Sequence, residues 1–168
     1  MKVLNALEAS SGVDGAAEKL ALVKWQEAYS LNSTVPAKLI FSLEPPKVPV
    51  AFVRVRELFA DEANGASYNS LRDIVEPVTE WVNNPTDSTP VYDILDDRVV
   101  VQKGARGVRT VFSFTVNNIS QTIDQTSLIS TDRNKIYVLV MRCTTVCYNK
   151  HMKLISKIAD SFTVRGAR

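Results

Sequence analysis

The stretch from Asn134 to Val164 constrains this chain more than any other. It opens with Ile136-Tyr137-Val138-Leu139-Val140-Met141, an unbroken apolar run rich in β-branched and aromatic residues. A run that short and that apolar suits a strand covered on both faces. After Cys143 and a short break, Met152, Ile155, Ile158 or Ala159, and Phe162 recur at helical spacing, with Lys150, Lys153 and Lys157 on the opposite side. The chain therefore closes with a buried strand and a helix that lies back over a sheet. Nothing in that unit carries a reaction.

A length of 168 residues allows one domain with a proper core and some excess at one end. No window approaches the ~18 apolar residues of a membrane span. The apolar part of Met1 to Leu7 is too short for a secretory signal. The expectation is either a cytosolic protein or one whose targeting peptide is absent from this chain. The net charge of +2 hides a division: residues 57 to 97 hold ten acidic side chains and one basic one, Arg72. Residues 98 to 168 hold twelve basic side chains and three acidic ones, Asp124, Asp132 and Asp160. Either this asymmetry orients the protein towards a charged partner, or folding interleaves the halves and cancels the field.

Residues 1 to 13 show no period and read as a tail beside Ser10-Ser11-Gly12. Asp14 is a candidate N-cap for a helix over Ala16 to Tyr29, where Ala, Leu, Glu, Lys and Gln dominate. Lys38 to Leu43 is a candidate short edge strand, and Pro45-Pro46 and Pro49 confine the next few residues to a loop or sheet edge. Ala51, Val53 and Val55 alternate with Phe52, Arg54 and Arg56, which predicts a strand whose arginines face outward or towards a partner. Asp61 to Ser67 reads as a polar loop. Ser70 then caps a helix with Leu71, Ile74, Val75, Val78, Trp81 and Val82 on one stripe, kinked or interrupted at Pro77 and stopped at Asn83-Asn84-Pro85.

Val91 to Met141 reads as an antiparallel meander. Val91 to Gln102 gives one or two strands, with Val99-Val100-Val101 as the buried part, and Lys103 to Gly107 gives a hairpin loop. The alternating Val108 to Val116, then Thr122 to Ser130, a turn at Thr131 to Asn134, and Lys135 to Arg142 complete the sheet. The fold class expected is α+β, a mainly antiparallel sheet with flanking helices. Residues 1–48 read as an N-terminal extension and 49–168 as the domain.

The sequence carries few signs of a reaction. One histidine, His151, makes no metal cluster, and no nucleophile elbow, phosphate loop or dinucleotide fingerprint occurs. Asp96 and Asp97 are adjacent, so on a strand their carboxylates diverge. The expectation is no enzyme, no directly bound cofactor and no nucleic-acid partner. Cys143 and Cys147 either stay reduced as small apolar residues or form a disulfide, which requires Thr144-Thr145-Val146 to turn back. Fully extended, that spacing separates the Cα atoms by roughly 13 Å, too far to bridge.

From about Val50 to Val164 the chain resembles the PsbP family, the extrinsic proteins of the oxygen-evolving complex and their PsbP-like relatives. Phe52-Val53-Arg54-Val55-Arg56 resembles the strand before the family's short helix, and Ser70-Leu71-Arg72-Asp73-Ile74 its serine-led helix start. Val91-Tyr92-Asp93-Ile94 to Val111-Phe112-Ser113-Phe114 resembles its aromatic-rich hairpin. Lys135-Ile136-Tyr137-Val138-Leu139 and Ile158-Ala159-Asp160-Ser161-Phe162-Thr163-Val164 resemble its late strand and closing segment. Residues 14 to 48 depart from the family's opening strand and proline-tryptophan turn, and Gly107-Val108-Arg109-Thr110-Val111 stands where many members have Gly-x-x-Tyr-Tyr.

The resemblance implies an α-β-α sandwich and a protein of the chloroplast thylakoid lumen, peripheral to the membrane, whose transit peptide lies outside this chain. It implies a non-enzymatic subunit on lumenal subunits of photosystem II, where manganese, calcium and chloride belong to the host complex. An assembly factor, an auxiliary subunit of photosystem I or the NDH complex, and a protein-binding module outside photosynthesis are the alternatives. The docking residues expected are Arg54, Arg56, Lys103, Arg106, Arg109, Lys150, Lys153 and Lys157, together with the N-terminal tail.

Overall fold

A computed structural model of the chain describes Ala6, residues 16–32 and residues 44–165. The elements run α1 (Ala16–Ala21), β1 (Val23–Ser30), β2 (Val50–Glu57), α2 (Ala60–Gly65), α3 (Tyr68–Arg72), α4 (Val78–Asn83), β3 (Tyr92–Gln102), β4 (Ala105–Val116), β5 (Ile119–Ser130), β6 (Lys135–Thr144) and α5 (Thr145–Ser161). The six strands form one sheet in the order β1-β2-β6-β5-β4-β3, and every neighbouring pair is antiparallel. This is the α+β class read from the sequence.

Both faces of the central strands are covered, as the apolar run demanded. One face carries Val108, Phe112, Phe114, Ile123, Ile129, Ile136, Val138 and Val140, roofed by Leu71, Val78 and Trp81 from α3 and α4. Trp81 meets Phe114 at 5.3 Å, Tyr92 at 5.7 Å and Phe112 at 6.1 Å between ring centroids. The other face carries Val111, Leu139, Met141 and Cys143 against Cys147, Tyr148, Ile155 and Ala159 of α5. Where the spacing left Ile158 or Ala159 open, Ala159 takes the core position and Ile158 is exposed, as is Met152.

Several expectations give way to tertiary pairing. The helix expected over Ala16 to Tyr29 stops at Ala21, and Val23–Ser30 becomes the edge strand β1. Local propensity favoured helix there, but pairing with β2 along the strand outweighs a small per-residue preference. The division at 48/49 consequently runs between two strands of one sheet. The helix expected from Ser70 to Val82 is two short helices. Ser67, not Ser70, is the N-cap of α3: its hydroxyl accepts from the Ser70 amide, and the Ser70 hydroxyl accepts from the Ser67 amide. Asp73 sits at the C-cap of α3 and accepts from the Thr79 amide at 2.7 Å, so it caps the first turn of α4 beyond Pro77. Part of the expected polar loop is α2. Lys38–Leu43 and the tail, apart from Ala6, lie outside the described residues.

Val91 to Gln102 resolves into the single strand β3, with a bulge between Ile94 and Asp96. Val99 and Val101, expected in the core, are 51% and 75% exposed. The reason is position: β3 ends the sheet order, and neither valine joins the core cluster under α3 and α4. The β3–β4 turn is shorter than expected, Lys103-Gly104, with Gly104 at φ 83°.

Gly107 marks a very close backbone approach between β4 and β5. A Cβ there would run into the Ser127 carbonyl oxygen and come within 2.8 Å of the Leu128 Cα, which are backbone atoms that no side-chain rotation can move. Gly107→Ala should therefore cost about 3 kcal/mol, the upper part of the overpacking range. The check is the denaturant midpoint of the full chain; an unchanged midpoint would show that β5 yields freely.

Candidate functional site

The residues expected to dock fall into two groups once the fold is in place. Arg109 is 4% exposed and Asp124 is 0% exposed, and they form a bidentate pair diagonally across β4 and β5. Nε reaches Oδ1 at 2.9 Å and Nη2 reaches Oδ2 at 2.6 Å. Arg109 is thus corrected from a docking residue to a core residue: it points under α5 rather than to solvent. Arg56 is bidentate to Glu62 at 2.7 and 2.8 Å, and Arg54 donates to Gln26 at 3.0 Å while lying 4.9 Å over the Phe52 ring. Each of these arginines is committed within the molecule.

The Arg109–Asp124 pair extends to α5 at both ends. The Tyr148 hydroxyl donates to Asp124 Oδ2 at 3.2 Å, and Asp160 accepts from Arg109 Nη1 at 2.9 Å and from Arg98 Nη2 at 2.8 Å. Burial alone opposes the Arg109 charge, yet the carboxylates of Asp124 and Asp160 outweigh it and raise its pKa. Tyr148 is pushed well above the ordinary tyrosine range, first by burial and then by the Asp124 charge beside it. Sequence reasoning missed this cluster. The signal was available: Asp124 stands alone in a strand without another charge from Ile119 to Ser130.

The second group is exposed. Lys150, Lys153 and Lys157 line the outer face of α5 beside the exposed Val146. Lys103 and Arg106 flank the β3–β4 turn. None of these five side chains makes an ion pair or hydrogen bond among the described residues. The layer holding α2 to α4, on the other side of the sheet, exposes Asp61, Glu80 and Asp87. The charge blocks of the sequence are thus partly interleaved: Arg106 and Arg133 lie on the α3 side, Arg142 interacts with Glu76 and Arg98 with Asp96, while the three α5 lysines remain together on the opposite layer.

Asp96 and Asp97 diverge as expected. Asp97 binds Arg72 through two nitrogens and accepts from Thr110, while Asp96 lies 3.5 Å from Arg98. Among the described residues no group of three or more His, Cys, Asp or Glu side chains is placed to hold a metal. An open depression of about 200 Å³ lies between Tyr68, Leu71, Ile129, Arg106 and Arg133. Arg133, at φ 58°, spends its guanidinium on the carbonyls of Ala63 and Ala66.

Cys143 and Cys147 are joined, with Cα atoms 5.9 Å apart, because Thr144-Thr145-Val146 turns the chain from β6 into α5. The reduced alternative thus gives way to the bridged one. Thr144 caps the same turn, its hydroxyl accepting from the Cys147 amide at 3.3 Å.

This geometry generates two expected outcomes. An unfolded tyrosine ionises near pH 10, whereas folded Tyr148 holds its proton, so its contribution is complete below about pH 10 and falls as pH rises further. Tyr148→Phe should flatten the alkaline loss of stability by up to about 1.4 kcal/mol per pH unit, read from denaturant midpoints at about pH 9 and 11. An identical slope in the variant would mean another group governs it. Replacing both Cys143 and Cys147 with Ser should cost about 2 kcal/mol, the loop-entropy value for so short a ring; equal stability of oxidised and variant chains would remove the disulfide from the account.

No protein-family model and no curated protein matches the chain. Among solved structures it is similar to PA94 of Pseudomonas aeruginosa, a protein of unknown function, with TM-score 0.51 and 10% identity over 84% of each chain. It is also similar to the cyanobacterial PsbP protein (CyanoP) of Synechocystis sp. PCC 6803, with TM-score 0.43 and 12% identity over 83% of this chain and 81% of that one. At 10% identity the match to PA94 establishes a shared fold and nothing finer.

Proposed function

We propose that this chain is a non-enzymatic subunit that docks on a larger assembly through the lysine face of α5. In the specific form its sequence motifs suggest, it is a PsbP-like extrinsic protein of the thylakoid lumen that stabilises the oxygen-evolving complex of photosystem II. One observation carries the docking reading: Lys150, Lys153 and Lys157 form an unpaired stripe on one layer, while most arginines elsewhere are committed to internal partners. A surface of one sign steers and orients an acidic partner. The photosystem form rests on the sequence segments Ser70–Ile74, Lys135–Leu139 and Ile158–Val164. In this reading the chain binds no cofactor of its own.

The test is sedimentation with photosystem II membranes stripped of extrinsic proteins, using the full chain and a Lys150→Glu/Lys153→Glu/Lys157→Glu variant. The wild type should bind at low salt and be released near 1 M salt, where screening shortens to about 3 Å. The variant should bind at least about tenfold more weakly, as expected for losing several modest ion pairs. Equal binding by the variant overturns the role of α5. A wild-type chain that binds photosystem I or NDH membranes instead moves it to the alternative hosts. Failure on all of these removes the photosynthetic form in favour of a binding module elsewhere.

A further inference from the structure

The two edges of the sheet differ in a way the docking reading does not use. β1 has eight residues, a bulge between Val23 and Trp25, and charged residues at Lys24 and Glu27. Such features discourage pairing with another strand. β3 is eleven residues long, and only its first half is protected, by Asp93, Asp96, Asp97 and the bulge after Ile94. From Val99 to Gln102 it has no charge, no proline and no bulge, and it presents Val99 and Val101 to solvent on one face. The opposite face at that point is occupied: the Gln102 side chain donates to the Phe162 carbonyl at 2.7 Å and accepts from the Val164 amide at 2.9 Å, which ties the chain after α5 to this strand.

Charge is polarised along the same edge. Asp93, Asp96 and Asp97 lie at one end, and Lys103 and Arg106 lie at the turn that ends the other. An antiparallel copy of β3 would bring each acidic end beside a basic end. Facing residues of antiparallel strands share a face, so the two-fold axis must pass through a residue position. An axis at Asp97 or Arg98 opposes like charges, and one at Val99 sets Asp97 against Val101. An axis at Val100 places Val99 against Val101 of the second copy, Arg98 against Gln102, and Asp97 against Lys103. Asp97 keeps Arg72 in that arrangement and receives the lysine from its solvent side.

We infer that β3 pairs antiparallel with β3 of a second copy of this chain, in the register centred on Val100, to give a symmetric dimer whose two sheets join into one. The valines at 99 and 101 of each copy close over one another on one face, and the charged pairs fix the register. The lysine face of α5 stays free, so this inference stands or falls separately from the docking reading.

The experiment uses the full chain. Sedimentation velocity from about 1 to about 200 µM should show a reversible monomer–dimer equilibrium for the wild type, and Val101→Lys should shift the midpoint at least about tenfold upward with an unchanged circular dichroism spectrum. Under mild oxidation Val100→Cys should yield a covalent dimer, because residue 100 faces itself only in this register, whereas Arg98→Cys should yield none. A wild type that stays monomeric at the highest concentration overturns the inference. So does a dimer that persists in Val101→Lys without cross-linking through Val100→Cys, since another surface would then hold it. A monomer whose β3 edge instead captures an extended acidic peptide overturns it as well.

Discussion

A guanidinium cannot stand inside a β-sheet without a fixed counter-charge, and the placement of Arg109 against Asp124 is the condition under which the rest of this molecule is built. Both groups are removed from water, and their attraction offsets that desolvation only because the bidentate geometry uses two nitrogens and both oxygens. Ser156 accepts a further hydrogen bond from Arg109 at 3.4 Å, and Tyr148 and Asp160 complete the cluster. Those two residues lie near opposite ends of α5, so the cluster fixes both the position and the direction of the helix on the sheet. Losing one member of the pair would leave a buried charge unanswered, at about 3–5 kcal/mol.

The other layer obeys the same logic with different chemistry. α3 and α4 are too short to be stable alone, and they are held by the Trp81 aromatic cluster and by side chains that reach across the structure. Arg72 ties α3 to Asp97 on β3, and Gln125 in β5 donates to the carbonyls of Leu71 and Arg72 at the end of α3. Arg56 fixes α2, and Asp73 starts α4. With so many arginines engaged as staples, free positive charge is concentrated on α5 and at the β3–β4 turn. The charge division of the sequence thus survives only in part, as the lysine stripe of α5.

The disulfide and the Thr144 cap act on one turn, where a deeply buried strand passes directly into the longest helix among the described residues. They tie the start of α5 to β6, and Asp160 ties its far end to Arg98 on β3 and Arg109 on β4. The contacts proposed for this protein accordingly lie on the outer face of α5 and on a sheet edge. The two edges are unequal: β1 carries several devices against strand addition, and the second half of β3 carries none.

The reach of the sequence differs from element to element. The apolar run at Ile136–Met141, the alternation through β4 and the spacing in α5 set the antiparallel sheet and its closing helix, because burial on two faces or one leaves a direct periodic trace. Asp96 and Asp97 were legible as diverging carboxylates for the same reason. β1 was not legible, because its helix-forming residues become a strand only when β2 supplies the ladder. Nor was the fate of the arginines: Arg109 and Arg106 look alike as basic residues three positions apart, and only the diagonal to Asp124 sends one into the core. Val99 and Val101 read as core by composition and lie on an edge by topology. Pattern along the chain determined which residues share a face; which faces are covered was decided only by the order of strands in space, since coverage is a property of neighbours that are distant in sequence.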